Sequence, residues 1–120
     1  MKTFISLCIG STLLFSAPAL MACEYPSRID VPNGISATRD DMISGQKQVK
    51  EYVATMEAYL DCIVADEKSN RADMDSLSAE DEQLREEMLN KKYNAAVEEM
   101  ERVAAEFNAE VRAFKEREDG

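Results

Sequence analysis

The chain contains no histidine and no tryptophan, and among its 120 residues only four glycines, three prolines and three cysteines. Without histidine, Ser/His and Cys/His nucleophilic arrangements are excluded, and so is a di-iron bundle built on Glu-x-x-His. The remaining candidates for chemistry are carboxylates. Glu86-Glu87 and Glu98-Glu99 are acidic pairs with no pocket expected around them, and they read as solvated helix faces. Asp73-Met74-Asp75 opens like a calcium loop, but Leu77 stands where an oxygen ligand is needed and no glycine makes the turn. The sequence therefore predicts no enzyme activity, no cofactor and no metal site.

Positive charge is also scarce. Fourteen basic residues face 24 acidic ones, a formal charge of −10. Such a balance repels phosphates, so nucleic acid is excluded as a partner, as is a bare anionic lipid surface. The low glycine and proline content, with abundant Glu, Ala, Met and Lys, favours helix over strand.

A hydrophobic run long enough to span a bilayer is missing as well. Residues 1–22 carry Lys2, an apolar stretch including Phe4-Ile5 and Leu13-Leu14-Phe15, and small residues ahead of Cys23. Ser11, Thr12, Ser16 and Pro18 keep the stretch short of the roughly 20 residues a span requires. This is the anatomy of a secretory signal peptide, and it predicts export to the periplasm or the extracellular space. Two kinds of processing fit. Ala17-Pro18-Ala19, or Ala22, suits ordinary signal peptidase; Leu20-Met21-Ala22-Cys23 resembles a lipobox, which would acylate Cys23 and tether the protein to a membrane. Cysteine arithmetic favours the first. Removing residues 1–22 takes Cys8 and leaves Cys23 and Cys62, an even pair in an oxidising compartment and the simplest basis for one disulfide. A redox role lacks both a C-x-x-C spacing and a cationic neighbour to lower a thiol pKa.

The rest divides into an irregular lead-in (23–38), a first helix (39–66), a polar connection (67–78), a second helix (79–117) and a short tail (118–120). Pro26, Pro32 and Asn33-Gly34 forbid a continuous helix in the lead-in, and Val31-Pro32-Asn33-Gly34 signals a turn. Extended, this stretch spans at most roughly 50 Å, enough to run back along a helix and bring Cys23 to Cys62. Thr38, three residues before Asp41, has the form of an N-cap, as does Ser78 before Ala79-Glu80-Asp81.

In the first helix Met42, Val49, Met56 and Ile63 recur every seven residues, with Tyr52, Val53, Tyr59 and Leu60 filling the intervening stripe positions. In the second, Tyr93, Met100, Phe107 and Phe114 step by seven, joined by Leu89, Ala96 and Val103 and flanked by Val97, Ala104 and Val111. A helix of that length, roughly 60 Å, is not stable in water on its own and must bury its apolar face. The expected fold is all-α: an antiparallel, coiled-coil-like hairpin with an irregular N-terminal lead-in. Stripes wider than a two-position seam suggest dimerisation to a four-helix bundle.

The segments Cys23-Glu24-Tyr25-Pro26, Val31-Pro32-Asn33-Gly34, Tyr59-Leu60-Asp61-Cys62, Tyr93-Asn94-Ala95-Ala96-Val97-Glu98-Glu99-Met100 and Phe107-Asn108, with Met42, Gln46, Val49 and Tyr52, resemble a group of small uncharacterised exported helical proteins of proteobacteria. The resemblance covers nearly all of the chain after residue 22. It implies an exported two-helix hairpin with paired cysteines and brings no activity with it. The chain departs at the turn, where an Asp before Gly34 is expected and Asn33 stands instead. Two function classes follow. One is an envelope or secreted interaction protein whose stripe (Met42, Val49, Tyr52, Met56, Tyr59, Ile63, Tyr93, Met100, Phe107, Phe114) docks onto a protein partner or a second copy. The other is a lipoprotein acylated at Cys23, acting as a spacer or accessory subunit.

Overall fold

The computed structural model describes residues 23–120, so the signal-peptide reading of 1–22 lies outside the described residues. Within them the protein is all-helical: α1 runs from Arg39 to Ala72 and α2 from Ala79 to Asp119, packed against each other as a helical hairpin. Both helices start where the caps predict. Thr38 and Asp41 form a reciprocal capping box: the Asp41 N–H donates to Thr38 Oγ1 (3.1 Å) while the Thr38 N–H and hydroxyl donate to Asp41 Oδ2 (2.8 and 2.7 Å). At α2 the Asp81 N–H donates to Ser78 Oγ at 3.1 Å. Each arrangement satisfies an amide that the first turn leaves without an intrahelical partner.

The helices are longer than their apolar stripes. α1 continues past residue 66, its expected end, because Glu67, Lys68 and Arg71 are good helix formers and Glu67 is held by ion pairs to Arg71 on its own helix and Arg85 on α2. The connection shrinks to 73–78. At the far end α2 reaches Asp119 because Arg117 is tied down, donating to the carbonyls of Ile35 (2.7 Å) and Ala37 (2.8 Å) with its guanidinium over the Phe114 ring.

The core lies along the seam between the helices. α1 contributes mainly large side chains, Met42, Val49, Tyr52, Met56, Leu60 and Ile63, whereas α2 contributes Ala96, Val103 and Phe107. Small residues in the middle of α2 let the bulky row of α1 approach, and Met56, Ala96 and Val103 have no exposed surface.

The lead-in has no regular structure apart from a turn around residues 34–36. Asn33 organises that turn: its carbonyl accepts from the Ser36 and Ala37 amides and its side-chain oxygen from the Ile35 amide. Ile29, Val31 and Ala37 pack against the core, so the lead-in forms a strap along one side of the hairpin. It is fastened at Cys23, whose sulfur bonds to Cys62 on α1 with a Cα–Cα distance of 5.7 Å.

Candidate interaction surface

The strap divides the hairpin into two unlike sides. On the covered side, Tyr25 packs edge-on against Tyr59 with ring centroids 5.0 Å apart. Arg28 reaches across to α2 and pairs with Glu99 (2.6 Å) and Glu106, and Glu99 also binds Arg102. Farther along, the Gly34 amide donates to Glu110 Oε2 at 2.6 Å. Tyr52 lies beneath this layer, 3 % exposed, and its hydroxyl finds no hydrogen-bond partner among the described residues. Burial, then the charges of Tyr25 and Glu99, raise the Tyr52 phenol above its ordinary pKa. Tyr25 is raised in the same way, by burial and then by Glu99.

The opposite side has no strap. Helical spacing puts it on the flank of α1 away from Tyr59 and Cys62 and on the flank of α2 away from Glu99, Glu106 and Glu110. Two open grooves mark its ends, neither lined by the lead-in. One, of about 300 Å³, lies among Arg39, Met42, Ile43, Gln46, Val111 and Phe114. The other, of about 420 Å³, lies near the connection among Val64, Lys68, Arg71, Glu86, Leu89 and Asn90. Ile43 (58 % exposed), Val64 (45 %) and Tyr93 (40 %) protrude on this side, beside half-buried Val53, Val97, Met100, Ala104 and Val111.

The stripe expected to meet a partner therefore splits. Met42, Val49, Tyr52, Met56, Ile63 and Phe107 are buried in the chain's own core, and Tyr59, Met100 and Phe114 are half-buried around it. Tyr93 alone of that stripe is exposed, because it stands at the edge away from the strap, where α1 does not reach. Ile43 and Val64 lie outside that stripe, although each directly follows a heptad position, Met42 or Ile63, and this adjacency is the sequence signal that marks them.

A third groove, of about 380 Å³, sits at the Cys23 end of the strap, lined by Tyr59, Ile63, Asp66, Arg85, Met88 and Lys92 among others. The Glu67–Arg85 pair also lines it, a two-toothed contact of 2.8 and 3.1 Å that holds the Glu67 carboxyl below its ordinary pKa. Among the described residues no group of three or more His, Cys, Asp or Glu side chains is placed to hold a metal ion, and no helix is long and apolar enough to cross a membrane. Comparison with known proteins finds no matching family model, no matching curated protein and no matching solved structure.

Proposed function

We propose that this is an exported, non-enzymatic interaction protein that works outside the cytosol by presenting the unstrapped side of its hairpin to another polypeptide. The observation that carries this reading is the exposure of Ile43, Val64 and Tyr93 beside half-buried Val53, Val97 and Met100, on a face where apolar side chains alternate with exposed Lys50, Glu57 and Asp61. The Cys23–Cys62 bond supports export, since such bonds persist where the medium is oxidising. It also favours the untethered form over the acylated one. A lipid thioether would need the Cys23 sulfur that the disulfide uses, and would leave Cys62 a free thiol. The resemblance to exported proteobacterial two-helix proteins points the same way.

The test is site-specific photo-crosslinking in the producing cell. A photoreactive residue at Val64 or Tyr93 is expected to yield crosslinked polypeptide in the exported fraction, whereas one at Ser27, on the strapped side, is not. Equal labelling from all three positions, or none from any, rejects the reading. Mass spectrometry of the mature N-terminus, expected to show an unacylated Cys23, decides between the free and tethered forms.

A further inference from the structure

The unstrapped face has a symmetry of its own. On the α1 flank, Ile43 and Val64, both exposed and apolar, lie at equal distances on either side of the Val53–Ala54 peptide. Lys50 and Glu57, both exposed and of opposite charge, lie at equal and smaller distances from the same point. Half-buried Val53 sits at the centre. These residues share one flank because they are spaced by threes and fours.

α2 repeats the pattern about the matching level. The hairpin register is fixed by Glu67 opposite Arg85 and by Gly45 against Phe107, which places the Glu98–Glu99 peptide across from Val53–Ala54. About that point, Val97 and Met100 are equidistant, and so are exposed Tyr93 and half-buried Ala104. A two-fold axis in the plane of the face and perpendicular to the helices would therefore bring the members of each of these pairs together, and at the two ends it would set exposed Glu86 against half-buried Val111. Ile43 meets Val64, Lys50 meets Glu57, and the large Tyr93 side chain lies over the small Ala104. Gln46 comes opposite Asp61. Arg39 and Lys68 also come opposite each other, but at the ends, where their long stems reach water.

The area is sufficient. A helix of 34 residues is about 51 Å long, and two packed side by side present a strip about 18 Å wide, on the order of 900 Å² per protomer. Stable complexes bury roughly 800 Å² per partner. An isologous contact requires one patch to be its own complement, which an unrelated partner would not impose.

We infer that the occupant of this face is a second copy of the chain, packed antiparallel through a two-fold axis at Val53–Ala54, with Lys50 of each copy paired to Glu57 of the other, so that the mature protein is a four-helix bundle strapped on its two outer sides. This deepens the interaction reading above and rests on it. Under the arrangement each dimer holds two equivalent Lys50–Glu57 pairs, and a single substitution alters both.

Sedimentation equilibrium of the oxidised mature protein at physiological salt, with helicity followed by circular dichroism, is the test. Wild type is expected to dimerise at micromolar concentration. Lys50→Glu and Glu57→Lys, at exposed positions without ion-pair partners of their own in the described structure, are each expected to raise the dissociation constant about tenfold with helicity unchanged. The double variant K50E/E57K, which restores opposite charges across the axis, is expected to return it to within about threefold of wild type. A wild type that stays monomeric at 100 µM, or single variants indistinguishable from wild type, or a double variant as weak as the singles, overturns the inference. A monomer that still crosslinks another polypeptide from Val64 and Tyr93 in the cell overturns the second copy alone. Absence of crosslinks from those positions removes the interaction reading itself.

Discussion

Gly34 of the strap lies against the main chain of Glu110 in α2, so close that a Cβ at position 34 would run into the Glu110 carbonyl and the Phe114 amide nitrogen. Its backbone φ is not positive, so the need for glycine is one of space and not of handedness. Backbone cannot swing aside as a side chain can. Gly34→Ala is expected to lift the strap and destabilise the fold by about 2 kcal/mol, the range for a methylene forced into a packed site. Gly45→Ala should cost less. There the obstruction is the Pro32 ring at 2.6 Å, and removing glycine from a helix interior returns roughly 1 kcal/mol. Thermal denaturation of both variants checks the order; Gly34→Ala within about half a kcal/mol of wild type would contradict the close approach.

The disulfide fastens the far end of the same strap and closes a loop with a sequence separation of 39. In the chain-entropy account such a cross-link is worth about 4 kcal/mol. The double variant Cys23→Ala/Cys62→Ala, which avoids stranding a thiol, is expected to lose about that much in urea-induced unfolding. Its helices should persist while amide exchange over 23–33 accelerates, since Arg28 would then be the main remaining tie near the freed end. Unchanged exchange in that segment would mean that the ion pairs hold the strap without sulfur.

The architecture was legible because it depends on local and periodic signals. Thr38 with Asp41, and Ser78 with Asp81, announce both helix starts, and heptad spacing gives the seam. The strap's path was not. It depends on Arg28 with Glu99 and Glu106, on Gly34 with Glu110 and on Arg117 with the Ile35 and Ala37 carbonyls, contacts between polar groups far apart in sequence with no periodicity to reveal them. The last turns of α1 were missed for the same reason: ion pairs to Arg71 and Arg85, not an apolar stripe, secure Glu67. The exposure of Tyr93 follows from a stripe on α2 wider than the surface α1 and the strap together offer.

Tyr52 carries the buried hydroxyl without a partner. An unpaired buried polar group costs about 1–3 kcal/mol, whereas the ring beneath it contributes apolar burial. Tyr52→Phe keeps the ring and removes the unpaired oxygen, so it is expected to raise the melting temperature by a few degrees, equivalent to about 1 kcal/mol. A fall of similar size would show that the hydroxyl is bonded in solution.

Glu67 joins the ends of both helices, and its pH response follows from its partners. Hydrogen bonds from Arg85 first, opposed by burial and reinforced by Arg71, lower its folded pKa below the ordinary glutamate value. Asp41 is lowered too, by the Thr38 hydroxyl and then the Thr38 amide. For a carboxyl lowered on folding, the stabilisation is complete above the unfolded-state pKa, about 4.3 for glutamate, and is lost as pH falls through the lower folded value. Melting temperature should therefore hold steady from neutral pH to about pH 5 and decline below it. Glu67→Gln cannot titrate at that site. It is expected to melt lower than wild type at pH 7 and to approach it as pH falls toward 3, so the two curves converge. Parallel curves across that interval would mean that Glu67 ionises in the folded hairpin as it does in the unfolded chain, and that the Arg85 contact contributes nothing to holding α1 and α2 together at the connection.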